Sequence, residues 1–248
     1  MANLFFPDNI FSRIIHSQLK PETMQITKFR SSASLSLELR NDESSIALIP
    51  VTDILTNPEF FISKTFGISF EGTLANSFVY FKPGERKVNE VNLAGDVSTL
   101  EVILTKILFK ELFDCEVEVG LTTIDKLQGT THIITGDQNF YSDVYEKGIS
   151  FAEEIVEIIS APFVNFVLAS KSEQLVKDFS ALLSEVRAEA NLNEINPKFH
   201  EKSKEFITSN LPKVFFSFDE QETEGINQIT RLPYYHRLIE DIVDVKFV

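Results

Sequence analysis

The side chains able to do chemistry are few and dispersed. The histidines His16, His132, His200 and His236 fall in predicted helices, one strand and a late loop. Metal sites need clustered ligands, so each reads as a surface or structural histidine. Cys115 is the single cysteine; alone it makes neither an internal disulfide nor a thiolate zinc site, and among acidic neighbours it reads as unreactive. No GxGxxG, P-loop, H-E-x-x-H, paired C-x-x-C or G-x-S-x-G pattern is present. What remains is a set of short polar elements at strand ends and helix starts. Gly95-Asp96-Val97-Ser98-Thr99 precedes the strongest helix, so free N–H groups and two hydroxyls form a seat for a carboxylate. Ser98 or Asp96 as a plain helix cap is the more common use of such residues. Gly136-Asp137 after a strand and Ser77 entering another also serve as ordinary turn and strand-edge residues.

These elements sit in an alternation of short apolar runs and longer helical periods, which predicts an α/β protein. Strands are expected at 45–51, 77–81, 132–135, 163–168 and 214–218, several of them apolar enough to be covered on both faces. The best helix starts at Ser98 and carries Leu100, Ile103, Leu104, Ile107, Leu108 and Leu112 on one stripe. Further helices are expected at 10–19, 31–40, 123–128, 150–159 and 172–189, and Asn196-Pro197 reads as the opening of another to about Ser209. The turn-rich segment 82–87 and the polar step 169–172 are the natural breaks. They predict a discontinuous first lobe of residues 1–82 plus 171–248, a second lobe of residues 83–170, and a ligand cleft between them.

Charge and composition narrow the function classes. Lys and Arg number 23 against 37 Asp and Glu, a formal charge of −14, which opposes binding to nucleic acid or to an anionic membrane. No apolar run approaches the roughly 18 residues of a membrane span, and Met1 to Asp8 lacks the basic start and apolar core of a secretory signal. The expectation is a cytoplasmic protein that binds a small molecule, with its oligomeric state left open. The 23 Phe and absent Trp read as core filling.

Taken in order, the polar elements resemble the chorismate dehydratase family of the futalosine route to menaquinone, which has the type II periplasmic-binding-protein-like fold. Ser45-Ile46-Ala47-Leu48-Ile49-Pro50 is similar to that family's D-[VI]-A-L-[IV]-P strand, and Gly72-Thr73-Leu74-Ala75-Asn76-Ser77-Phe78-Val79 to its G-P-V-x-S-V entry into a strand. Asp96-Val97-Ser98-Thr99 with the Leu/Ile-rich helix resembles D-x-x-S-R-T-S, and Thr135-Gly136-Asp137 resembles I-G-D. The stretch from Phe151 through Ser160-Ala161-Pro162-Phe163-Val164 is similar to D-L-G-x-x-W…T-G-L-P-F-V, and Glu224-Gly225-Ile226 to a late E-G-L helix. Phe6-Pro7-Asp8-Asn9 stands where the family has N-Y-L-N. The likeness spans almost the whole chain and rests on the order of weak motifs. Leu100 and Glu101 depart from it, standing where threonine and serine are expected.

The resemblance implies a two-lobed fold with two chain crossings and a hydro-lyase that removes water from chorismate to give 3-[(1-carboxyvinyl)oxy]benzoate, without metal or organic cofactor. It implies Asn9 at the leaving hydroxyl, Ser77, Ser98 and Thr99 as carboxylate anchors, and Pro50, Asp137 and Phe163 along the substrate. No histidine takes the place of a base, and a substrate carboxylate is the implied substitute. Glu101 would repel an anionic substrate if it pointed into the cleft. A non-catalytic binder of small carboxylates with the same fold is the alternative.

Overall fold

The computed structural model describes residues 2–248. The chain begins with β1 (Leu4–Pro7), α1 (Ile10–Ser17), α2 (Pro21–Ile26), β2 (Thr27–Arg30), α3 (Leu35–Asn41), β3 (Ile46–Pro50) and β4 (Phe61–Phe70). It continues with β5 (Ser77–Tyr80), β6 (Glu90–Gly95), α4 (Thr99–Phe113), β7 (Glu118–Leu121), β8 (His132–Thr135), β9 (Ile149–Ser150) and α5 (Phe151–Ile159). The last part holds β10 (Phe163–Ser170), α6 (Glu173–Leu183), α7 (Leu192–Ile195), α8 (Glu201–Asn210), β11 (Val214–Ser217), α9 (Glu220–Tyr235) and β12 (Lys246–Phe247).

These elements build two sheets. The first, of seven strands, runs β11-β4-β10-β3-β1-β2, with β12 beside β4; the second, of five, runs β7-β6-β8-β5-β9. In the first, β1 lies parallel to β2 and β3 while β10 runs antiparallel to β3 and β4. β1, β3 and β10 are buried along their whole length, which is why they are largely apolar, with Asn165 and Ser170 the polar residues of β10. In the second, β6 lies parallel to β7 and β8, and its end at Gly95 needs a glycine twice over. Its φ is +97°, and a Cβ there would lie 2.0 Å from the Thr135 carbonyl oxygen of β8.

The chain passes from the first sheet to the second between Phe70 and Ser77 and returns between Ile159 and Phe163. The expected break at 82–87 is a turn within the second lobe, and 169–172 is the end of β10 and its step into α6, within the first. Strand 77–80 therefore stands in the second sheet and strand 163–170 in the first, the reverse of the expected division. The physical reason is burial. Residues 82–87 are a solvent-facing loop and Ala169-Ser170 finish a buried strand, whereas the real passages carry the buried Leu74, Ala75, Asn76 and Pro162. α9 lies directly on the return passage, since a Cβ on Gly225 would come within 2.3 Å of the Pro162 carbonyl oxygen.

Other expectations shift locally. The helix foreseen from Asn196 begins at Glu201 behind His200, after the four-residue α7, and the segment at 123–128 makes only a single turn at 124–126. The 172–189 helix stops at Leu183. Residues 184–213 then leave the first lobe, lean on the second and return to β11. Phe206 stacks on Tyr145 at 4.4 Å, Phe199 lies 5.7 Å from Phe140, and His200 N donates to the Phe140 carbonyl at 3.1 Å. This strap spans the cleft beside the two passages.

Candidate functional site

The cleft lies where β1, β6 and β8 end, with the start of α1 meeting Asp137 and the start of α4 meeting Thr52 and Asp53 across the lobes. Asn9 follows β1 and is fully buried. Its Oδ1 accepts from Ser12 N at 2.9 Å and caps α1, while its Nδ2 has no partner. Ile10 N, at the first turn of the same helix, donates to Asp137 Oδ1 at 2.8 Å from the other lobe. Burial, opposed by that bond and by Arg13, pushes the Asp137 carboxyl up to about 6.

The start of α4 is closed by the chain itself. Ser98 N and Ser98 Oγ both donate to Glu101 Oε2, at 2.9 and 2.7 Å, and Leu100 N donates to Ser98 Oγ at 3.2 Å, completing a capping box. Ser77 Oγ reaches Glu101 Oε1 at 3.3 Å and Thr135 Oγ1 at 3.1 Å. Glu101 is 1% exposed, and burial pushes its carboxyl up to about 7. Two of the residues expected to anchor a substrate carboxylate, Ser77 and Ser98, thus hold an internal one.

Thr99 faces the first lobe. Its Oγ1 donates to Asp53 Oδ1 at 2.6 Å and shares a hydrogen bond with Thr52 Oγ1 at 2.9 Å. Pro50 ends β3 and leads into the turn that carries both Thr52 and Asp53. Phe163, expected along the substrate, lies in the core instead. It is 2% exposed, stacked 6.3 Å from Phe70 and edge-on 6.1 Å from Phe151. An aromatic side chain opening a fully buried strand belongs to the packing between sheet and helix.

Sequence reasoning left Asp8, Arg13, Ser32, Asp53, Tyr141 and Lys198 out of the site. Ser32 N and Oγ donate to Asp96 across the lobes, at 2.9 Å to Oδ1 and 2.6 Å to Oδ2. A cavity of about 420 Å³ remains, walled by Asp8, Arg13, Asp96, Asp137, Tyr141 and Lys198 among others. Arg13 pairs with Asp8 at 2.5 Å, which leaves Asp96 and Asp137 against Lys198 as the other charged groups of the wall. Around the junction, Asn9 Nδ2, Asn76 Nδ2 and Asn165 Oδ1 are buried without partners, unusual for buried amides. The carbonyl of Asn76 accepts from Gly136 N at 2.7 Å, and Asn165 lies at a bulge of β10 next to Phe166, the register partner of Pro50. The only advance signal for these groups was position after strand ends, as for Asp8 and Asp96.

Among the described residues no group of three or more His, Cys, Asp or Glu is arranged to hold a metal ion, and no helix is long and apolar enough to cross a membrane. No protein-family model matches the chain, and no curated protein matches it in sequence. Its fold is nonetheless shared with solved structures. Protein AF1704 from Archaeoglobus fulgidus superposes with a TM-score of 0.65 at 11% identity, covering 96% of this chain and 98% of that one. The zinc-bound ligand-binding component of an ABC-type import system from Staphylococcus aureus gives 0.64 at 12% identity, covering 99% and 97%. The alkanesulfonate-binding protein SsuA from Xanthomonas axonopodis pv. citri, bound to MOPS, gives 0.64 at 11%, covering 100% and 98%. With two sheets, two passages and a cleft between them, the chain has the two-lobed type II periplasmic-binding-protein-like fold.

Proposed function

We propose that the chain is a binding protein that closes its lobes over a small uncharged or amine-bearing molecule in the interlobe cavity and leaves it chemically unchanged. One observation carries this reading: Glu101 fills the start of α4, the seat to which the resemblance assigns a substrate carboxylate. With Asp8 and Arg13 paired to each other, a dianion such as chorismate would also meet Asp96 and Asp137 on the cavity wall, against the single cation Lys198. Like charges at such range oppose one another strongly where water is scarce. Hydroxyl and amino groups would instead find acceptors.

A second reading, chorismate dehydratase, has its own support in Asn9. The residue the resemblance appoints to the leaving hydroxyl is buried and has an amide donor to spare. Held against a departing oxygen, such a donor stabilises developing charge.

Incubation with chorismate, followed by ultraviolet absorbance and product mass, separates the two. The binding reading expects no product at high protein concentration, together with a rise in melting temperature from polyols or amines and none from aromatic carboxylates. At about a hundred times Kd a ligand stabilises by about 2.7 kcal/mol, which is several degrees in a melt. Formation of 3-[(1-carboxyvinyl)oxy]benzoate would establish the dehydratase and remove the binding reading.

A further inference from the structure

Three carboxylates reach across the cleft, and each rests on neutral donors of the opposite lobe. Asp137 takes the N–H of Ile10 at 2.8 Å, Asp96 takes the N–H and hydroxyl of Ser32 at 2.9 and 2.6 Å, and Asp53 takes the hydroxyl of Thr99 at 2.6 Å. Among the described residues none of the three makes an ion pair.

The charged groups around them are few. Asp137 faces Asp8, Arg13 and Asn196, with Lys198 and Tyr141 on the same cavity wall. Asp96 faces Asp8, with Glu101 behind it, and Arg30 on the neighbouring segment is paired with Glu38 at 2.7 Å. Asp53 lies within the field of Arg40 and also accepts from Ser36.

We propose that Asp53, Asp96 and Asp137 form a proton-operated clasp between the lobes, which shuts the empty cleft in acid and releases it as the three carboxyls ionise. The geometry supplies the coupling, because Asp53 is buried and Asp96 and Asp137 are half-buried where the lobes meet, each on a donor of the opposite lobe, and all three would gain water when the lobes part. Burial raises all three carboxyls, Asp137 to about 6. The closed form therefore binds protons more tightly than the open one. Closure is strongest below the ordinary carboxyl range, where the groups are neutral in both forms, and weakens as pH rises through about 6. The clasp does not depend on which ligand the cavity takes.

Small-angle scattering of the full chain without ligand tests it. Between about pH 5 and about pH 8 the wild-type radius of gyration should increase. The triple variant Asp53→Asn, Asp96→Asn, Asp137→Asn keeps one acceptor oxygen at each cross-lobe position, its new amide N–H can donate to the serine hydroxyls, and it cannot ionise, so it should stay compact at both values. Glu101→Gln changes a carboxyl bonded only within its own lobe, and should leave the response intact. Circular dichroism checks folding. Should the triple variant not fold, Asp137→Asn and Asp96→Asn singly should each reduce the increase. An unchanged wild-type radius, a full response in the asparagine variants, or loss of the response in Glu101→Gln would each overturn the clasp.

Discussion

Helices α1 and α4 both start beyond the carboxyl end of a strand, both have a polar N-cap, and both bring a carboxylate to a backbone N–H at the helix start. On α4 the carboxylate is Glu101, three residues along the same segment; on α1 it is Asp137, 127 residues away in the other lobe. Burial raises both carboxyls. Local chemistry is nearly alike in the two places, and control is not. Glu101 stays on its donors whatever the lobes do, so it is a fixed part of the second lobe. Asp137 meets its donor only while the lobes are together, so the same bond becomes a report on closure.

The largest expected break of this comparison is at Glu101. Its carboxyl is raised from 4.5 to about 7, so its favourable contribution is complete below about pH 4.5 and is lost as pH rises through 7. By linkage that amounts to about 3 kcal/mol. Glutamine can keep the capping box and cannot ionise. Urea unfolding across this range should therefore show Glu101→Gln falling by about 3 kcal/mol less than wild type.

Next in size is Asp137→Ala, which strands the N–H of Ile10 and should cost about 1–3 kcal/mol. Hydrogen exchange sharpens the contrast: the Ile10 amide should lose protection while the amides opening α4 keep theirs. Ser98→Ala removes a side-chain cap and should cost about 1 kcal/mol in a denaturant titration, with the lobe spacing unchanged. Smallest is Arg13→Ala. Its ion pair with Asp8 is half exposed, so the loss should be under about 1 kcal/mol and should shrink further in salt.

Legibility in the sequence followed the range of the interactions. The expected strands at 45–51, 77–81, 132–135, 163–168 and 214–218 coincide with β3, β5, β8, β10 and β11, because each keeps a largely apolar run, continuous in β3 where both faces are buried. β4 escaped notice although it is ten residues long. Ser63, Lys64, Thr65 and Gly67 interrupt its apolar pattern, and Gly67 is required by tertiary packing, since a Cβ there would lie 2.4 Å from the Phe166 carbonyl oxygen. At the cleft, Ser98 was readable as a cap because its partners are two and three residues away. Ser32 and Asp53 were not, since they meet Asp96 and Thr99 at separations of 64 and 46 residues and leave no local pattern. Phe163 shows the opposite error. Its place in a motif suggested a ligand contact, whereas its ring is held between Phe70 and Phe151.

The strap at 184–213 bears on kinetics more than on affinity. It is rooted in the first lobe through α6 and β11, while Phe199 and Phe206 lie among Phe78, Phe140 and Tyr145 of the second. Wide separation of the lobes must draw those rings out of their aromatic nest or bend the strap at its ends. If the cavity encloses a molecule as proposed, its departure would be paced by two phenylalanines outside the cavity lining, and dwell time would change without altering the side chains that wall the cavity.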